Sequence, residues 1–208
     1  MIRTVSIAAA ALVLALLIGS AVMVWVFPNA LGSGNQFASC TTTRIVDGSA
    51  IGGPFSLVSE TGAEVTETDI ITKPTLVYFG YTYCPDVCPI DSDRTAQAVI
   101  SLREQGHDVG NVFVSVDPAR DTPEVMTEFT DFFDSEMIGL TGSDDQIAAA
   151  AQAYRVYYDV AGEGEDYLVN HSVLTYLVAP DHGVLEILRR DLSIEEMVEK
   201  VACFMDEI

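Results

Sequence analysis

Residues 75–89, TLVYFGYTYCPDVCP, constrain the fold more than any other stretch of this 208-residue chain. Leu76, Val77, Tyr78 and Phe79, bounded by Pro74 and Gly80, form an apolar, β-branched and aromatic run of the kind buried on both faces in a covered sheet. Past Pro89 the period changes. Ala96, Ala98, Val99, Ile100 and Leu102 fit one face of a helix introduced by Asp91, Ser92, Asp93 and Arg94. Cys84 and Cys88 therefore lie where a central strand hands over to a helix. Free backbone N–H groups and the helix dipole favour thiolate over thiol at such a place.

The remaining pattern alternates strands with helices. Residues 111–116 (NVFVSV) read as a second buried strand, stopped by Asp117 and Pro118. Thr122 as cap and Pro123 at the first helical position open a helix to about Phe133, and residues 138–140 suggest a brief strand. Ser143 and Gln146 make a capping box for a third helix through Tyr154; Ser193 and Glu196 do the same for a last helix reaching Phe204. Residues 163–166 are a charged loop, and residues 173–178 and 184–188 read as strands joined by a turn at Asp181, His182 and Gly183. Upstream, Phe55, Leu57, Val58 and Val65 around Thr61-Gly62-Ala63 suggest a short hairpin. The expected class is α/β with a mixed central sheet flanked by helices, and no internal repeat is visible.

Hydrophobic residues, 49% of the chain, suffice for one good-sized core. The net charge of -21, from 31 acidic against 10 basic residues, repels phosphate backbones, so nucleic acid is set aside as a partner. Residues 5–27 are uncharged and almost wholly apolar, long enough as a helix to cross a bilayer core of roughly 30 Å. A cleaved signal peptide fits less well, since its apolar core runs to only about 7 to 15 residues. A lipoprotein signal fits least, because Cys40 lies well beyond the apolar segment. Arg3 is the one basic residue before the span, and none follows until Arg44, so the N-terminus is placed in the cytoplasm and the bulk of the chain outside. The expected organisation is a cytoplasmic tip and membrane anchor over residues 1–28, a flexible tether over 29–50 and one folded domain over 51–208.

Two cysteines four apart can share a helix face, which permits either a clamp for a soft metal or a dithiol that cycles to a disulfide. Three residues separate them, one more than in the familiar thioredoxin-type redox motif. Of three histidines, His171 in the Val169-Asn170-His171-Ser172 segment stands just before the 173–178 strand, where a side chain can reach across the sheet top. His107 lies in a polar loop and His182 in a turn. Taken alone, His171 reads better as a hydrogen-bonded structural residue, and spacing cannot show that it approaches the cysteines. If the three converge, two sulfurs and an imidazole suit copper as Cu(I) or Cu(II), whereas a closed zinc site wants a fourth protein ligand.

YFGYTYCPDVCP, followed by SVDPARDTPE at 115–124, GLTG at 139–142, YRVYY at 154–158 and NHS at 170–172, resembles the Sco/SenC family of copper chaperones for cytochrome c oxidase assembly. The resemblance runs from about Gly53 to the C-terminus, in the family's order. It implies a thioredoxin-like fold on one membrane helix, facing the periplasm or the mitochondrial intermembrane space. It further implies that Cys84, Cys88 and His171 are copper ligands and that Asp117 tunes the site, against the plain reading of Asp117 as a strand-end turn residue. Asn170 stands where the family usually has aspartate, which removes a negative charge beside the histidine.

The function so implied is delivery of copper to the CuA-bearing oxidase subunit, in exchange with other periplasmic copper carriers or thiol reductases. The alternative is a thiol-disulfide reductase that keeps the acceptor's cysteines reduced; a peroxidase is a third option. Cys40 and Cys203 lie outside the central motifs. Because one sits in a tether and the other in the final helix, they are expected to pair as a disulfide, with free thiols as the alternative.

Overall fold

The computed structural model describes residues 19, 36–42 and 51–208. The expected anchor, residue 19 apart, and most of the expected tether lie outside the described residues, among which no helix is long and apolar enough to cross a membrane. The chain divides into two compact units, Met1–Ser39 and Cys40–Ile208, and the architecture below is that of the second.

Its centre is the apolar run with which the sequence opens. Strand β3 (Thr75–Gly80) is buried at every residue. It pairs in parallel with β4 (Gly110–Ser115), and β4 in parallel with β5 (Met137–Thr141). Parallel neighbours need long crossovers, and helix α2 (Val87–Glu104) supplies the first and α3 (Pro123–Phe133) the second. On its other side β3 pairs antiparallel with β8 (Thr175–Ala179), which turns back into β9 (Gly183–Leu188). The opening hairpin, β1 (Ser56–Ser59) and β2 (Glu64–Thr66), closes the far edge, giving the order β2-β1-β5-β4-β3-β8-β9. Helix α4 (Asp144–Ala153) packs on β1, and α5 (Ile194–Glu207) packs on α2.

The caps fall where the sequence placed them. Thr122 accepts a hydrogen bond from the Val125 N–H with Pro123 at the first helical position, and both Ser143–Gln146 and Ser193–Glu196 close as capping boxes. Helix α2 differs: it starts at Val87, ahead of Pro89, so Cys88 is already helical. Proline is tolerated there because first-turn N–H groups have no helical acceptor to lose.

Two elements escape the sequence reading. A short helix α1 (Glu67–Ile70) follows β2, and a separate hairpin forms from β6 (Tyr158–Ala161) and β7 (Leu168–His171). His171 is thus the last residue of a strand paired with Tyr158, not a loop residue leading into the next strand, and β8 begins only at Thr175. The hairpin stands off the main sheet, and half of its strand residues, Asp159, Val160, Leu168 and Asn170, are exposed, so no buried apolar run announces it.

Cys40 is joined to Cys203 of α5 by a disulfide with a Cα–Cα distance of 5.7 Å. Beside it the Thr42 N–H donates to Glu186 Oε2 at 2.8 Å, and Lys200 Nζ donates to Thr42 Oγ1 at 2.8 Å. The short segment from Cys40 to Thr42 is thereby tied to the body of the domain.

Candidate metal centre

The cysteine turn is held from beneath by a buried carboxylate. Asp121 accepts hydrogen bonds from the Thr82 hydroxyl at 2.6 Å, from the Thr82 N–H and from the Ser115 hydroxyl at 2.5 Å, tying the loop after β3 to the end of β4. The Cys84 N–H closes the turn onto the Tyr81 carbonyl at 3.3 Å. Gly80 is required at the strand's end, because a Cβ there would stand 2.9 Å from the Tyr78 ring and 3.0 Å from Cys88 Sγ.

Helix α2 then presents its two sulfurs differently. Cys84, half-buried, lies just ahead of the helix, where the Cys88 N–H reaches its Sγ at 3.3 Å. Burial pushes the Cys84 thiol up, but backbone N–H groups of Asp86, Cys88 and Val87 outweigh it and hold the group below the usual thiol range. Cys88 is fully buried, and burial followed by the neighbouring Cys84 pushes it well above that range. The expected preference for thiolate at the helix start therefore holds for Cys84 and is reversed for Cys88. Alkylation of the reduced, copper-free protein by iodoacetamide near pH 7 is expected to modify Cys84 first, with Cys88 following only on unfolding; peptide mass mapping over time reads the order.

The β6–β7 hairpin carries the third group. His171 Nε2 lies 3.3 Å from Cys88 Sγ, and its Nδ1 is 2.9 Å from the Ser172 carbonyl. A carbonyl oxygen only accepts, so Nδ1 carries the proton and the Nε2 lone pair faces the sulfurs. Burial lowers the His171 pKa, against the opposing pull of the Ser172 carbonyl and Asp91, which keeps the ring neutral at pH 7. The rings of Tyr78 and Tyr81 meet the imidazole edge-on at 6.2 and 5.8 Å. The Tyr78 hydroxyl donates to the fully buried Asp91, whose carboxylate also meets Arg94 and Arg190.

Cys84, Cys88 and His171 so place three ligand atoms within 4.8 Å of one another, the one such cluster among the described residues. Two soft sulfurs and a correctly protonated imidazole fit a soft ion of low coordination number, and among the described residues no fourth His, Cys, Asp or Glu side chain joins them as a closed zinc site would want. His107 and His182 do not take part. Asp117, expected near the site, is outside the cluster: its carboxylate accepts from Arg120 Nε and from the Tyr167 hydroxyl, both at 2.6 Å. Arg120 and Asp121 were not singled out from the sequence, although both stand inside the SVDPARDTPE segment.

The SCO1/SenC family profile matches residues 44–206. The chain is 50% identical to SenC from Rhodobacter capsulatus over 207 residues, covering 99% of this chain and 92% of the relative. It is 42% identical to the mitochondrial SCO1 homolog 1 of Arabidopsis thaliana, over 73% of this chain but only 46% of that one, so it spans about half that relative's length. A crystal structure of Arabidopsis thaliana ScoI with copper bound superposes with a TM-score of 0.71 at 41% identity, covering 76% of this chain and 98% of the other. The mixed sheet with its flanking helices is the thioredoxin-like fold of these proteins, and the chain belongs to the SCO1/SenC family.

Proposed function

We propose that this protein is a copper chaperone that binds one copper ion through Cys84, Cys88 and His171 and passes it to the CuA-bearing subunit of cytochrome c oxidase. The observation that carries the reading is the convergence of two thiols and a neutral imidazole, its Nδ1–H bound to a carbonyl, from segments 83 residues apart. The copper-bound Arabidopsis relative supports copper over other soft ions. Residues 1–28 would anchor the chain in a membrane and residues 29–50 tether the domain on the periplasmic side, or on the intermembrane side in a mitochondrion.

The two sulfurs would act unequally in transfer. Cys84, half-exposed and the better thiolate, is the ligand an incoming acceptor thiolate displaces first; buried Cys88 lets go last. Oxidation of the pair to a disulfide removes both donors and so prevents copper uptake.

The same inequality favours a second reading, a thiol-disulfide reductase for the acceptor's cysteines. Cys84 thiolate would attack an acceptor disulfide and release one acceptor thiolate. Cys88, losing its proton, would then attack Cys84 Sγ, freeing the second acceptor sulfur and leaving this protein oxidised. His171→Ala separates the two readings. Copper titration with X-ray absorption is expected to show one ion per parent chain with two sulfur and one nitrogen neighbours. The variant is expected to lose the nitrogen and bind Cu(II) at least about tenfold more weakly, beyond the lower end of second-shell losses. A variant that binds both copper states as the parent does would remove His171 from the site; reduction of a model disulfide unchanged by the variant would support the reductase.

A further inference from the structure

The hairpin that carries His171 has little of its own to hold it in place. Its strands pair only with each other, and an isolated two-stranded ribbon is marginal in water. At its base the Ser172 N–H donates to the Tyr157 carbonyl, and Val169 is buried in the core. At its tip the main tie is one residue, Arg120, from the loop after β4. Its Nη1 donates to the Tyr167 carbonyl at 2.9 Å and to the Glu165 carbonyl at 3.3 Å. Its guanidinium carbon lies 3.7 Å from the centre of the Tyr167 ring, 4.5 Å from that of Tyr83 and 5.7 Å from that of Tyr81.

Tyr81 and Tyr83 belong to the cysteine turn, Glu165 and Tyr167 to the hairpin. The guanidinium is therefore sandwiched between the two segments that must meet for the ligands to converge. Asp117 fixes its orientation: one carboxylate oxygen accepts from Arg120 Nε and the other from the Tyr167 hydroxyl. The pair is largely shielded, with side-chain exposures of 19% for Arg120 and 3% for Asp117. Tyr83 adds a smaller link of the same sense, its hydroxyl donating to Asp166 at 2.9 Å.

We propose that Arg120, oriented by Asp117, is the positioning residue that clamps the His171 hairpin onto the cysteine turn, and so decides whether bound copper has a nitrogen neighbour besides its two sulfurs. The copper half of this rests on the ligand reading above; the clamp itself does not. A planar fork is needed, because one group must donate in two directions while stacking on aromatic faces, and a lysine ammonium cannot do all three. Asp117 then affects the metal through Arg120, without touching it.

Hydrogen exchange on the reduced, copper-free protein tests the clamp independently of any metal. In Arg120→Ala the β6–β7 amides are expected to exchange at least about tenfold faster, as a locally opening unit, while those of β3 and β4 keep the parent rates. Loaded with copper, the same variant is expected to bind Cu(II) about 10- to 100-fold more weakly with a reduced nitrogen count by X-ray absorption. Cu(I), which the two sulfurs hold, is expected to stay within about threefold of the parent. Arg120→Lys, which keeps the charge, is expected to resemble Ala, and Tyr167→Phe to give a smaller change in the same direction; these two carry the test should the alanine variant fail to fold. Parent-like hairpin exchange in the arginine variants would overturn the clamp, and a lysine variant equal to the parent in both measurements would reduce the role to charge. His171→Ala, run alongside, reports separately on the ligand: if it binds Cu(II) as the parent does, the ligand reading falls while the exchange result still decides the clamp.

Discussion

Cys88→Ser is expected to abolish stoichiometric copper binding while leaving the fold intact, with affinity falling by more than about a hundredfold, the upper end of what losing a ligand's outer partner costs. Serine is close in size and suits the buried, partly polar position beside His171, so the packing changes little. It does not suit the metal, because a neutral hydroxyl is a hard, poor donor to a soft ion. Proton balance makes the same point in the parent. Burial keeps Cys88 as a thiol at neutral pH, so copper uptake has to expel its proton, whereas Cys84 is held closer to the thiolate. Uptake by the reduced parent is therefore expected to release protons and to weaken as pH falls. Calorimetry in two buffers of different ionisation enthalpy reads the proton count; a serine variant that still takes up one copper tightly would refute the ligand assignment.

Removing the Cys40–Cys203 bond is expected to give the largest change in stability. The bond closes a loop of 163 residues, for which the chain-entropy estimate is about 5 kcal/mol, an upper figure that residual structure in the unfolded chain reduces. The native side also contributes. Cys203 lies in α5, which packs along α2, and the bond brings Thr42 within reach of Glu186 and Lys200. A Cys40→Ser, Cys203→Ser protein, compared with the parent on a background lacking Cys84 and Cys88, is expected to melt lower by up to about 10 to 20 °C for a domain of this size. Unchanged melting would show that the bond holds down only a segment with no part in the cooperative unit.

How much of this was legible beforehand depends on range. The capped helices α3, α4 and α5 start at Pro123, Asp144 and Ile194, right after the capping residues the sequence shows, because a cap is a contact over three residues. Strands β3 and β4 were visible as apolar runs, since a strand covered on both faces is built mainly of apolar residues, with the buried polar Thr75, Asn111 and Ser115 at or near the strand ends. The β6–β7 hairpin was not, because it leaves the main sheet with half of its strand residues exposed, so no buried apolar run separates it from a loop. Nor could spacing bring His171 to Cys88, 83 residues away, or show that Asp117 turns toward Arg120 and Tyr167.

By itself, then, the sequence determined that a covered strand delivers two cysteines to the start of a helix, and with its ordered motifs it determined the family. Those are consequences of local pattern: periodicity, caps and turn residues act over a few positions. Only the tertiary structure decided that one thiol is stabilised as thiolate and the other buried, that an imidazole reaches them with its lone pair inward, and that an arginine binds the two segments together. Each of these depends on burial and on contacts between distant segments, which arise only when the chain packs.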